Sequence, residues 1–156
     1  MSKYDDASWH YGGEFPDDLT PEKGATHIGM FMRWCLERKL YSEELEEDAE
    51  EEIDDVINGE LTGADFVIQV CDEKLATYDL NQEGNAFAKD YYEDETDFAE
   101  HYNSFADDYE SIFIQHAHDT NTHLESFYHV EDTEENYQLI KPIIDKRFAQ
   151  WLEYSK

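Results

Sequence analysis

Histidines and carboxylates are the residues of this chain whose spacing could support chemistry. His116, His118 and His123 fall within eight residues, with Asp119 among them and His129 just beyond. Imidazoles beside a carboxylate are ligands for zinc and its neighbours, and H-x-H followed by a third histidine is a workable set. The segment lacks the H-E-x-x-H frame that puts two imidazoles on one helix face. A polar, histidine-rich loop accounts for the same residues, so the three histidines stand as weak metal candidates and no metal site is assigned. Paired carboxylates are everywhere, and a general acid needs one carboxyl group in an apolar setting. Asp65 beside Phe66 and Asp79 before Leu80 have such neighbours, but helix capping explains both.

Trp9-His10-Tyr11 offers aromatic and imidazole surface to a ligand; anchoring of the N-terminal arm is the favoured reading. Ser8 and His10 are too close in sequence to argue for a nucleophile–base dyad. G-x-S-x-G, P-loop and dinucleotide glycine fingerprints are absent. The acids at Asp72 and at 93–97 lack the calcium-loop order and its glycine. No catalytic residue and no cofactor are assigned, and the expectation is a non-enzyme.

The elements that would position any site are acidic helices. The chain has 156 residues, with 40 acidic and 11 basic side chains and a formal net charge of -29. Hydrophobic residues make up 40% and aromatics 15%, enough for a packed core in one acidic helical domain over 1–156. So large an imbalance has three readings: a surface that mimics or competes with nucleic acid, one that captures a basic protein, or a host with a salty cytoplasm. Direct binding to DNA or RNA is disfavoured because phosphate is repelled, and an anionic membrane surface for the same reason. The opening MSKYDDASWHYGG has no basic start and no apolar run, and no stretch reaches the ~18 apolar residues of a membrane span. The expected location is cytoplasmic. Cys35 and Cys71 sit among apolar neighbours in predicted helices and read as buried free thiols.

The most acidic stretch is 42–58, SEELEEDAEEEIDDVIN, where ten of the thirteen residues from 43 to 55 are acidic. Leu45, Ala49, Ile53, Val56 and Ile57 form the apolar seam of an amphipathic helix capped by Ser42. The remainder is carboxylate: Glu43, Glu44, Glu46, Glu47, Asp48, Glu50, Glu51, Asp54 and Asp55 are the expected partner-binding residues. Asp54 and Asp55 lie at the negative helix end, where acids are unfavourable, so their charge serves something other than helix stability. A second acidic face is expected around 93–108, with Tyr92, Asp94, Asp97 and Asp108. There Tyr91, Tyr102 and Tyr109 add the aromatic area that binding faces use, or a core with an acidic exterior.

The fold expectation is all-α: an irregular bundle of about six helices with an ordered, non-helical arm over 1–19, anchored by Trp9, Tyr11 and Phe15. Thr20-Pro21 starts a helix, with Gly24 as an interruption and Thr26 as a second cap. Ile28, Phe31, Met32, Cys35 and Leu36 follow the helical template, and Met30 and Trp34 make that helix apolar nearly all round and therefore central. Thr62 caps a helix carrying Ala64, Val67, Ile68, Cys71 and Leu75. A short helix spans 85–92, and a long one runs from Thr96 through Phe98, Tyr102, Phe105, Tyr109 and Phe113. Residues 114–132 break the period and read as a loop. Thr133 caps a last helix, which Pro142 should kink or divide.

YDDASWHYGGEFP (4–16), GATHIGMF (24–31), EGNAFAKDYY (83–92), FYHVEDTEENY (127–137) and IDKRFAQW (144–151) resemble a family of small uncharacterised bacterial proteins, a domain of unknown function. The resemblance covers most of the chain and implies a bacterial cytosolic protein, with no catalytic residues to carry over. In type, small acidic proteins of this kind look like immunity proteins of toxin systems. The leading expectation is therefore an inhibitory binding protein, an immunity protein occluding the basic cleft of a cytosol-acting toxin, a nuclease above all. The alternatives are a nucleic-acid mimic that blocks DNA-binding proteins, a small metal-dependent enzyme using His116, His118 and His123, and a ligand-binding module built on Trp9, His10 and Tyr11.

Overall fold

The computed structural model describes residues 3–13, 15–93 and 96–154. The architecture is an all-α irregular bundle with one small two-stranded sheet. In chain order the elements are β1 (Lys3–Asp6), α1 (Ala7–Tyr11), α2 (Thr26–Glu37), α3 (Glu43–Ile57) and α4 (Gly63–Val70). They are followed by β2 (Lys74–Ala76), α5 (Gln82–Phe87), α6 (Asp97–His101), α7 (Phe105–Asp119) and α8 (Glu134–Tyr154). Among the described residues, no helix is long and apolar enough to cross a membrane.

α2 is the centre, as its apolar sequence demands. Every residue from Thr26 to Leu36 except Arg33 is buried. Its backbone touches α4 directly: a Cβ built on Gly29 would lie 2.2 Å from the Ala64 nitrogen, and one on Gly63 2.0 Å from the Gly29 oxygen. Only glycine at both positions permits that approach. Around α2 an aromatic core assembles from Phe31, Trp34, Phe87, Tyr91, Phe105 and Phe148, with Phe87 stacked on Tyr91 at 5.2 Å and Trp34 edge-on to Phe148 at 5.3 Å. Polar tips inside it are satisfied: Trp34 Nε1 donates to Asp145 at 2.8 Å and Trp151 Nε1 to Asp90 at 2.7 Å.

Capping fixes the helix starts. Ser42 accepts from the Leu45 nitrogen at 3.0 Å, Thr62 from Asp65 at 3.1 Å and Thr133 from Asn136 at 3.1 Å. Thr20 makes no side-chain cap, and Pro21–Ala25 is a 3-10 turn that runs into α2.

Several sequence expectations need correction. The arm is not wholly non-helical. Asp6 accepts from the nitrogen and hydroxyl of Ser8, at 2.9 and 2.7 Å, and this cap starts α1 immediately after β1. Trp9 does not anchor it, being 55% exposed. β1 pairs antiparallel with β2, so Leu75 belongs to a strand and not to the preceding helix, and Cys71 caps α4. The helix expected from Thr96 breaks at Tyr102, and Ser104 caps a new one, accepting from Asp107 at 3.3 Å. That helix does not stop at 113. Phe105, Tyr109, Phe113 and Ala117 keep the spacing of four on the buried side as far as Asp119, while Ile114, 52% exposed, obscures the period. Pro142 lies within α8, which continues through it as one element. α3 departs from helical geometry at Ala49, with φ -145° and ψ 32°, so the acidic helix bends midway.

Candidate functional site

Two features stand out, an acidic face on α3 and a buried carboxylate gripped by two imidazoles. The seam of α3 docks as its spacing requires: Leu45, Ala49, Ile53 and Val56 are buried. Glu43, Glu44, Glu46, Glu47, Asp48, Glu50, Glu51 and Asp54 are exposed, and Glu52 and Asp55 are half-buried. The Lys and Arg ion pairs of the bundle lie elsewhere: Lys3 with Asp6, Arg33 with Glu37 and Glu134, Arg38 with Asp145, Lys74 with Asp72, Lys141 with Glu37, Arg147 with Asp108. Among the described residues, no ion pair reaches an α3 carboxylate; the contacts it receives are neutral hydroxyls, Tyr78 donating to Asp48 at 2.9 Å and Tyr41 bonding Glu46.

Part of the second expected face belongs to the core. Asp108 is 5% exposed. It accepts from Arg147 Nε and Nη2 at 2.9 and 3.0 Å, from the Tyr91 hydroxyl at 2.7 Å and from Asn103 at 2.7 Å. It is a core ion pair, not a partner contact. Tyr91 and Tyr109 are core residues as well, and burial pushes both phenols well above their usual range. Tyr92 turns inward, stacking on Phe105 at 5.2 Å. Asp97 is exposed, in the first turn of α6, and Asp94 lies outside the described residues.

The histidines also regroup. His116 and His118 are two apart on α7, so they point to nearly opposite sides of the helix. His116 and His123 share a surface hollow of about 220 Å³, and His118 and His123 another. Among the described residues, the sets of three possible metal ligands with donor atoms within 4.8 Å of one another are Asp5–His10–His27 and Asp18–Glu125–His129; His118, His116 and His123 belong to neither. The second set is open to water: Asp18 and Glu125 side chains are 64% and 68% exposed around His129.

The first set is built by the β1–α1 turn and by α2. β1 carries Asp5, α1 folds His10 back over it, and His27 projects from the first turn of the central helix. Asp5 Oδ1 accepts from His10 Nε2 at 2.7 Å and from the Asp6 nitrogen at 2.8 Å. Its Oδ2 accepts from His27 Nε2 at 2.9 Å and from the Tyr92 hydroxyl at 2.5 Å. The far nitrogen of His10, Nδ1, pairs with the Tyr128 hydroxyl at 2.7 Å. The two imidazoles meet edge to face at 4.6 Å. Burial pushes the Asp5 carboxyl up, but the hydrogen bonds from His10 and His27 outweigh it and hold it well below the usual range. Burial lowers His27, against the pull of Asp5. A cavity of about 210 Å³ opens on this cluster, with Tyr4 and Glu93 at its wall. The Tyr4 phenol there is pushed up to about 12 by burial and by Glu93.

The family described as Domain of unknown function (DUF7832) matches residues 3–130, which hold both features. The chain belongs to that family. No curated protein and no solved structure matches the chain.

Proposed function

We propose that this member of the DUF7832 family is an acidic binding protein that captures a basic protein partner on the α3 face. In its most concrete form it is a cytoplasmic bacterial immunity protein that occludes the basic cleft of a toxin. The observation that carries the proposal is the run of exposed α3 carboxylates to which, among the described residues, no cation is paired. An acidic surface that served folding alone would be laced with ion pairs.

Magnitude favours a nucleic-acid-binding partner. Fifteen helical residues have a contour of about 22 Å, and the eight exposed carboxylates along it give one charge per roughly 3 Å. Duplex DNA carries one per about 1.7 Å of axis. A cleft evolved for phosphate therefore meets a comparable density on α3, which favours a nuclease-type toxin. Steering at this density raises the association rate and makes it fall steeply with salt.

The test is affinity capture from the native host at low and high salt, followed by rate measurement on the captured protein. A single basic protein, with an association rate that drops at least tenfold across the salt range, fits the cognate-inhibitor reading. Capture of many unrelated DNA-binding proteins selects the nucleic-acid mimic instead. A rate indifferent to salt removes the electrostatic mechanism from both.

A further inference from the structure

We propose that Asp5, His10 and His27 bind a divalent transition metal ion of the zinc class. Two imidazole nitrogens and one carboxylate from three separate elements converge on one point. Nitrogen and oxygen donors in this number form the three-ligand arrangement that zinc uses when a fourth position is left open. That fourth position exists: the cavity of about 210 Å³ borders the same three side chains. It leaves room beside the ion for water or a small anionic ligand.

The distances suit insertion of an ion. Ligand atoms held about 2.0–2.2 Å from zinc in tetrahedral geometry stand roughly 3.3 Å from one another. The present nitrogen–oxygen separations are 2.7 and 2.9 Å. These run to different oxygens of Asp5, and the three donor atoms lie within 4.8 Å of one another, so side-chain rotation is what draws them around one ion.

At His10 the proton bookkeeping closes. In the metal-free protein each Nε2 carries the proton that bonds Asp5. On binding, His10 Nε2 must be bare and Nδ1 must carry the proton. The Tyr128 hydroxyl on Nδ1 accepts either arrangement, as donor before and acceptor after. Such an outer partner is what fixes the tautomer of a metal-bound imidazole. Tyr92 and the Asp6 nitrogen do the same for the carboxylate, holding it in place from its other lone pairs.

The site differs in kind from the weak carboxylate sites that so acidic a surface offers everywhere. Those bind hard cations through oxygen and are outcompeted by magnesium. The decisive experiment is therefore zinc retention in excess Mg²⁺. Chelator-treated full-length protein is given Zn²⁺, passed through gel filtration in Mg²⁺ buffer and assayed for metal. Co²⁺ replaces Zn²⁺ in a parallel sample, to be read by visible absorption. The expected result is one equivalent of Zn²⁺, and Co²⁺ absorption of four-coordinate intensity.

His10→Ala, at a partly exposed position, should abolish retention with an unchanged circular dichroism spectrum. His27→Gln should do the same, and Tyr128→Phe should weaken zinc about 10–100-fold through the outer shell. A structural hydrogen-bond cluster would lose stability in these variants without any zinc-dependent signal. No retention by the wild type, or retention undiminished in both His10→Ala and His27→Gln, overturns the proposal.

Discussion

Arg147→Met should be among the most damaging single changes in the protein, because it leaves Asp108 charged and buried. Asp108 has four donors: two from Arg147, one from Tyr91 and one from Asn103. With its side chain 5% exposed, water cannot replace the guanidinium. Tyr91 and Asn103 remain, but both are neutral. Removing one partner of a buried pair typically costs about 3–5 kcal/mol, against the roughly 5–15 kcal/mol that a domain of this kind has in all. Asp108→Asn added to Arg147→Met removes the stranded charge, so the double variant should be more stable than Arg147→Met alone, with a coupling of about 1–3 kcal/mol. Asp72→Asn breaks the exposed pair with Lys74, where the aspartate is 85% exposed, and should change stability by under about 1 kcal/mol. Urea unfolding followed by tryptophan fluorescence reads these three and the single Asp108→Asn that the coupling requires, with equal slopes required before midpoints are compared. A loss below about 1 kcal/mol for Arg147→Met, or a fully additive double variant, would refute the burial argument.

Other outcomes follow from the same geometry. Gly29→Ala and Gly63→Ala should each lower stability by about 3 kcal/mol or more, since a Cβ at either position strikes backbone at 2.2 Å or less; melting temperatures within a degree of wild type would contradict the close α2–α4 approach. Asp79 is pushed up to about 6 from an ordinary 3.8 by burial, which the Ala76 nitrogen and Cys71 thiol only partly offset. Folding therefore binds a proton there, and the group destabilises the fold progressively as pH rises from about 4 to 6. Asp79→Asn removes that dependence, so its stability relative to wild type should climb by up to about 3 kcal/mol between pH 4 and 7; a difference flat with pH would contradict it. Asp54→Asn should stabilise α3 by about 0.3–1 kcal/mol while slowing partner association, because the charge opposes the helix dipole. A concurrent loss of stability and of rate would instead mark Asp54 as structural.

Much of the fold was legible because local rules agreed with one another. α2 announced its centrality by being apolar on every side, and Ser42, Thr62 and Thr133 marked helix starts by hydroxyl capping. The arm departs from the non-helical expectation because Asp6 caps α1, and Asp-x-Ser at a chain reversal carries that signal. Asp108 looked like one more surface acid, yet its position betrays it: Phe105, Asp108 and Tyr109 are at i, i+3 and i+4, so the carboxylate sits on the buried stripe. Arg147 lies the same way between Ile144 and Phe148 on α8. Opposite charges on two apolar stripes are the sequence signature of a buried pair. The Asp5 cluster had no such signature. His27 hides within an apolar helix, and only the pairing of β1 with β2 and the turn into α1 bring Asp5 and His10 to it. The α3 face was the legible part, since an apolar seam at helical spacing places most of its ten acids outside without tertiary information.

The measurement closest to the central claim compares wild type with a variant carrying amides in place of Glu43, Glu44, Glu46, Glu47, Asp48, Glu50, Glu51 and Asp54. All eight are exposed, so the fold should persist. Both proteins are used as bait in the native host lysate, and the association rate of the recovered partner is measured against ionic strength. The account predicts one basic partner bound by wild type, an association rate at least tenfold lower for the amide variant, and a shallower salt dependence. Equal recovery and equal rates for the two proteins would contradict it.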